Sequence, residues 1–279
     1  MQLNLDFGRG LGAQVDLQNI SDDQYARIQA YFVPLINDPR VQSREAIGGA
    51  FVFATNLCPD ANPSDIWHHV LYRTYTREKV GTNPEQSWVR TSGEGYEIAL
   101  VERYNPVLAA HGIRMSSLIS GKAKVSALDR MGLTGRIGGS KVDVMIEKDG
   151  AGLSRGRDGF GVVGGIHAKV SLAERVSDDI PASRIMMAEG LLSVLSTLDV
   201  KSFPPPHGDL VNRGELGTLT NPSDKRRYIE GHGDFSACFS YNLRTTPSAE
   251  TTASGRSIYV SGFAGANDHF TDYLLAELT

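Results

Sequence analysis

The chain has 279 residues, 41% of them hydrophobic and 22% charged, a composition that excludes disordered, collagen-like and coiled-coil classes. Two cysteines, Cys58 and Cys238, are too few for a disulfide-stapled scaffold or a four-cysteine zinc site. The net charge of −4 speaks against a nucleic-acid binder on average, yet residues 113–142 hold Arg114, Lys122, Lys124, Arg130, Arg136 and Lys141 against Asp129 alone. A cationic stretch on an acidic body suits either a phosphate-tracking groove or a solvated loop.

The opening Met1-Gln2-Leu3-Asn4-Leu5-Asp6 has no basic segment followed by an apolar one, and no run reaches the ~18 apolar residues of a membrane span. A cytoplasmic protein without membrane contact is expected. Ser21-Asp22-Asp23-Gln24 has capping-box spacing, and Tyr25, Ile28, Phe32 and Leu35 follow at helical period. Ser43-Arg44-Glu45 opens a second helix, closed by Cys58-Pro59. Asn62-Pro63-Ser64-Asp65 opens a third, carrying Trp67, Val70, Leu71 and Tyr75. Ser92-Gly93-Glu94 leads into a fourth, with Tyr96, Leu100 and Val101 on its apolar side. The period then changes: residues 141–147 alternate and end at Lys148-Asp149-Gly150, a strand and a turn. A loop with glycine and arginine follows, then a second strand over 162–172. Asp178-Asp179-Ile180-Pro181 signals a helix start, with the helix expected to run to about Leu198. Phe203-Pro204-Pro205-Pro206 is a turn, and Tyr259-Val260-Ser261 a late strand.

Two residues on these central strands point to chemistry. If Val142, Val144 and Ile146 face a core, Asp143 faces the other way, while His167, Lys169 and Ser171 share one face of the next strand. A carboxylate beside a lysine suits metal-dependent phosphodiester hydrolysis, with Mg²⁺ on the carboxylate and an ammonium to steady water or developing charge. By itself the same pair also describes a surface ion pair.

Three segments in order distinguish these readings: Ser87-Trp88-Val89-Arg90-Thr91-Ser92-Gly93-Glu94-Gly95-Tyr96-Glu97, Lys141-Val142-Asp143, and His167-Ala168-Lys169-Val170-Ser171-Leu172-Ala173-Glu174-Arg175. Together they resemble type II restriction endonucleases of the PD-(D/E)xK superfamily, within the branch that cuts sites with a CCGG core. The likeness extends over nearly the whole chain and is densest over residues 164–217. It implies an α/β (α+β) fold, a central mixed β-sheet flanked by helices with a helical N-terminal lobe. One domain over 1–279 is expected, mainly helical through 112, with catalytic sheet and DNA recognition in 113–279. The implied activity is Mg²⁺-dependent cleavage of double-stranded DNA at a short palindrome, ACCGGT the expected site, leaving 5′-phosphates. The implied setting is a homodimer on DNA, in the cytoplasm of a bacterium, with a companion DNA methyltransferase.

Residue by residue, the resemblance makes Asp143 and Glu97 the Mg²⁺ ligands and Lys169 the catalytic lysine. Two positions depart from the pattern. Val142 stands where the superfamily has proline, and His167 where it has an acid. The branch moves that acid to a later helix, which points to Glu189, with Glu174 the rival. His167 then reads as a spacer or hydrogen-bond donor, since a hard cation prefers oxygen. Base reading is expected just after the lysine, Arg175 for guanine and Glu174 for cytosine, although Ala173 stands where an arginine is expected. Arg90, Ser171, Asp178 and Lys141 complete the expected DNA contacts. A catalytically inactive DNA-binding protein on the same fold remains the alternative.

Other motifs have plainer readings. Gly159-Phe160-Gly161-Val162-Val163-Gly164 satisfies G-x-G-x-x-G but continues as strand rather than helix, so close backbone approach explains it better than a dinucleotide. Trp67-His68-His69 lies on a helix, where adjacent residues do not share a face. His232 with Asp234 fits a turn, Lys225-Arg226-Arg227 either a phosphate contact or a solvated run, and both cysteines fit packing.

Overall fold

The computed structural model describes residues 1–7, 10–81, 83–138, 141–154, 156, 158–173, 175–202 and 210–279, with the backbone alone at Arg175. A hairpin of β1 (Gln2–Asp6) and β2 (Gly12–Asp16) opens the chain. In α1 (Asp22–Asn37) the cap is reciprocal: the Ser21 hydroxyl accepts from the Gln24 N–H, and the Ser21 N–H donates to Gln24 Oε1. Next come α2 (Ser43–Leu57), α3 (Pro63–Asp65), a π-helical turn (Ile66–Leu71) and α4 (Tyr72–Glu78).

The fourth expected helix, α5 (Pro84–Leu108), starts eight residues before Ser92. Asn83 caps it by accepting from the Gln86 N–H at 3.1 Å, and Pro84 fills the first position, where a missing N–H costs nothing. Ser92-Gly93 is therefore helix interior. The glycine at 95 is a packing device: a Cβ there would sit 2.8 Å from Ile47 Cγ2, and one at Gly48 would sit 2.8 Å from Gly95 O. α2 and α5 cross at that point, with Glu97 one half-turn on.

The remaining elements are β3 (Ile113–Ser117), α6 (Gly121–Arg130), β4 (Val144–Asp149), β5 (Phe160–Lys169), α7 (Arg175–Ala188), β6 (Leu192–Thr197), α8 (Asp224–Glu230), β7 (Ala237–Ser240), β8 (Ile258–Val260) and α9 (His269–Leu278). Among the described residues they form a six-stranded mixed sheet in the order β3-β4-β5-β6-β7-β8, antiparallel across β3, β4 and β5 and parallel from β5 onward. Alternate residues go to opposite faces. Val144, Ile146, Ile166, Val194 and Phe239 join the large core with α2 and α5, while Met145, Val162, Leu195 and Cys238 pack beneath α6, α7 and α8. The chain is a mixed α/β fold with helices on both sheet faces.

Two expectations change. The helix expected from Asp178 to about Leu198 begins at Arg175, holds Pro181 in its interior and ends at Ala188; 192–197 is strand β6. A strand covered on both faces lacks the strict alternation of a half-buried one, so periodicity does not separate it from buried helix. The cationic stretch 113–142 is no single groove either. It is divided between β3, α6 and the following segment, and Arg114 and Arg130 both bind Glu147. The turn expected at Phe203-Pro204-Pro205-Pro206 lies outside the described residues. The glycine run 159–164 does lead into β5 rather than a helix, and a Cβ on Gly161 would sit 2.1 Å from Ala151 O.

Candidate active site

The antiparallel register of β4 on β5 brings the two central residues together. Val144 pairs with Ile166, and the ladder continues one residue outward, where the Asp143 N–H donates to Ile166 O at 2.9 Å. Asp143 lies just before β4 and is buried. Its Oδ2 accepts from the Ala168 N–H at 2.9 Å and from Lys169 Nζ at 3.0 Å. α7 folds back on β5 and supplies a second carboxylate, Asp179, whose Oδ2 lies 2.9 Å from Lys169 Nζ and whose Oδ1 lies 3.6 Å from Lys141 Nζ. Burial would lower the Lys169 pKa, but the charges of Asp143 and Asp179 outweigh it and hold the ammonium above its ordinary value.

Glu97 approaches from α5. It is buried, and among the described residues its Oε2 has no hydrogen-bond partner. Burial first, then the Asp143 charge, pushes its carboxyl up to about 8. Two carboxylates that repel each other while one lacks a donor form a poor ion-pair network and a good cation site. Among the described residues no three His, Cys, Asp or Glu side chains converge as a metal cage. A two-carboxylate set nonetheless fits Mg²⁺, which keeps waters and shares its shell with substrate phosphate. These groups line a cavity of about 660 Å³ with Arg90, Ser171 and Asp178 at its rim.

The structure therefore brings Glu97, Asp143 and Lys169 into one cavity. Lys141 joins through Asp179, and the exposed Arg90 and Asp178 line the opening. Ser171 lies between this cavity and a neighbouring one of about 960 Å³ and donates to Glu215 at 2.7 Å. Glu189 is not brought in. It follows the end of α7, is exposed and pairs with Arg136 at 2.8 Å; ten residues of helix put it about 15 Å along the axis from Asp179. The acid beside the lysine is instead Asp179, part of the Asp178-Asp179-Ile180-Pro181 helix-start signal. The clue was its place on the buried helix face with Val176, Ile180 and Ser183, legible only once the helix is known to begin at Arg175. Glu174, the side chain of Arg175 and the segment 203–209 lie outside the described residues.

His167, two residues before the lysine, is fully buried and donates to or accepts from Ser193 Oγ at 2.9 Å; burial lowers its pKa to about 4, leaving it neutral. His68 and His69 sit on the π-helical turn, lowered by burial to about 3 and about 4. His232 approaches Asp234 at 3.6 Å, but Arg184 holds that carboxylate at 2.7 Å. Lys225 pairs with Glu215, and both cysteines are buried thiols.

The family described as BsaWI restriction endonuclease type 2 matches residues 122–263. The type II restriction enzyme AgeI of Thalassovita gelatinovora is 74% identical over 278 residues, covering all of both chains. A crystal structure described as a specific AgeI–DNA complex superposes with a TM-score of 0.98, at 74% identity over all of both chains. A pre-specific BsaWI–DNA complex is more distant, 20% identical with a TM-score of 0.47 over 91% of this chain and 90% of that one.

Proposed function

The chain belongs to the type II restriction endonucleases, and from that premise we propose that it hydrolyses both strands of duplex DNA at a short CCGG-centred palindrome, ACCGGT, in a Mg²⁺-dependent reaction of the PD-(D/E)xK type that leaves 5′-phosphates. One observation carries this reading: Glu97, whose Oε2 has no hydrogen-bond partner among the described residues, faces Asp143, with Lys169 clamped between Asp143 and Asp179 in the same cavity. Glu97 and Asp143 would hold the Mg²⁺, which when bound supplies positive charge to the scissile phosphate and acidifies the attacking water.

The remaining steps belong to the protein. Lys169, kept charged by its two carboxylates, donates from Nζ toward the attacking water and the phosphoryl oxygens, where negative charge grows. Asp179 holds that ammonium in place from the side of α7 and shares Lys141, which stands ready for an adjacent phosphate. Water oxygen bonds to phosphorus as the bond to the 3′-oxygen breaks, and the 3′-oxygen leaves with a proton. Arg90, Ser171, Asp178, Glu174 and Arg175 are the proposed DNA contacts, with Arg175 reading guanine and Glu174 cytosine. A palindrome read by identical half-sites calls for a homodimer on DNA. We further place the enzyme in a restriction–modification system with a DNA methyltransferase in a bacterial cytoplasm, its single catalytic domain spanning 1–279.

The test is a digest of plasmid carrying one ACCGGT, with Mg²⁺ and with EDTA, beside Lys169→Ala. The expected result is one discrete Mg²⁺-dependent product, at least about 10³-fold slower in the variant. Discrete cutting elsewhere would replace the ACCGGT site and keep the nuclease. Tight, sequence-selective binding without cleavage would leave an inactive binder.

A further inference from the structure

Beside the active-site cavity, and sharing Ser171, Ala173 and Asp178 with it, lies the larger cavity of about 960 Å³. Lining it is Glu215, a buried carboxylate that has, among the described residues, four partners from three parts of the chain. Oε1 accepts from the Ser171 hydroxyl at 2.7 Å and from the Ala173 N–H at 2.9 Å. Oε2 meets the ammonium groups of Lys225 and, at 3.7 Å, Lys201. Burial would raise the Glu215 pKa, but the Ala173 N–H, Lys225 and Ser171 reverse the effect and keep it ionised.

Glu215 is itself fixed from below. Its N–H donates to Asp199 Oδ1 at 2.6 Å, and Thr245 Oγ1 donates to Asp199 Oδ2 at 2.9 Å. The segment lies so close to Asp199 that a Cβ at Gly214, where φ is +74°, would sit 2.1 Å from Asp199 Oδ2. Glu215 is thus tied to the end of β6, which is tied to the end of β5 by the Leu198 N–H on Lys169 O and the Val200 N–H on Val170 O.

The loop that Glu215 grips is strained. Ala173 has φ +37°, a left-handed conformation that a residue with a Cβ keeps only when its surroundings hold it there. The bond from the Ala173 N–H to Glu215 is such a hold. Two residues later α7 begins at Arg175. The direction in which the chain leaves Ala173 sets where α7 and the residues at its start stand relative to Lys169.

We propose that Glu215 is a specificity-determining positioning residue: it sets the strained loop between the catalytic lysine and α7 through one oxygen, and gathers Lys201 and Lys225 as contacts for the DNA backbone through the other. This rests on the reading of the chain as a site-specific nuclease. The lysines feel phosphate, and the same carboxylate holds the base-reading loop, so backbone engagement and base discrimination share one group.

The experiment compares wild type, Glu215→Gln and Glu215→Ala on a duplex bearing the site found by plasmid digestion and on duplexes with one base pair of that site replaced. In Glu215→Ala the ratio of kcat/KM for the true site over the substituted sites falls about tenfold, while kcat at saturating true site falls less. A merely structural role would lower both substrates alike and leave the ratio unchanged. Glu215→Gln keeps an amide oxygen for Ser171 and Ala173, so it rescues most of the ratio, and Lys225, no longer paired with a carboxylate at 215, steepens the salt dependence of binding. If Glu215→Ala does not fold, Glu215→Asp decides, since it retains the charge and lacks the reach; its ratio falls about threefold or more. An unchanged ratio in the folded variant, with wild type cutting normally, overturns this role for Glu215. A wild type that cuts at no discrete site refutes the nuclease reading and this inference with it.

Discussion

Asp143 and Glu147 stand four residues apart, one just before β4 and the other within it, and both are buried carboxylates with cationic partners. At Glu147 the charges are matched. Arg114 binds it at 2.9 Å through both nitrogens, and Arg130 binds it at 2.6 Å. Arg114 also pairs with Asp158 at 2.7 Å and lies over the Phe160 ring, its centroid 4.0 Å away. Burial raises the Glu147 pKa, but the hydrogen bonds of Arg114 and Arg130 prevail and leave it below the ordinary value. At Asp143 the balance is reversed: Asp143 and Asp179 share Lys169, Lys141 approaches Asp179 at longer range, and among the described residues Glu97 Oε2 has no hydrogen-bond partner. A satisfied network rigidifies a fold, whereas a carboxylate surplus facing a cavity has free energy still to gain from a cation and the phosphate it brings.

Substitution at the two positions should separate these roles. Asp143→Asn lowers cleavage by about 10³-fold or more and leaves the unfolding transition nearly in place. Glu147→Gln leaves Arg114 and Arg130 without their carboxylate and costs about 2–3 kcal/mol in urea denaturation, while cleavage per folded molecule stays within a few-fold. Equal losses of activity in both would erase the distinction. Within the site, Asp179→Asn loosens the ammonium and slows cleavage by about 10²-fold, against about twofold or less for Glu189→Gln, whose partner Arg136 is at the surface. A larger effect at Glu189 would return the missing acid to the position expected from the sequence.

Smaller effects sharpen the same contrast. Mg²⁺ at tenfold over its Kd should raise Tm by about 3 °C in wild type and in Glu147→Gln, and not in Asp143→Asn. Acid should act on Glu147. Glu147 is depressed in the folded protein, so the unfolded chain binds its proton first as pH falls, and the stability it contributes above the unfolded value of about 4.5 is lost as pH drops through the folded one. Wild type should therefore lose stability relative to Glu147→Gln on acidification; parallel curves would contradict the Arg114–Glu147–Arg130 account.

Much of the site was legible before any fold was known. Asp143 and Lys169 are legible on neighbouring strands because alternation is local and their separation of 26 residues suffices for a hairpin with a long loop. Glu97 is legible only through the likeness of Ser92-Gly93-Glu94-Gly95-Tyr96-Glu97 to a known motif, not through any periodicity, and its helix begins eight residues before Ser92. Asp179 and Glu215 are not legible as site residues for a different reason. Their partners, Lys169 for one and Ser171 with Ala173 for the other, lie 10 residues away or more, and nothing in either neighbourhood records that separation.

The sequence by itself determined the helical caps at Ser21 and Asn62, the two central strands, the family, and the lysine with its strand carboxylate, since each is written in short-range pattern or motif. Tertiary structure decided that residues 192–197 are a buried parallel strand, that Arg114 and Arg130 neutralise Glu147 instead of facing a ligand, and that Asp179 rather than Glu189 stands beside Lys169. The physical reason is common to all three. Burial, charge pairing and helix docking depend on which distant segments meet, and the free energy of those meetings outweighs the local preferences from which they are assembled.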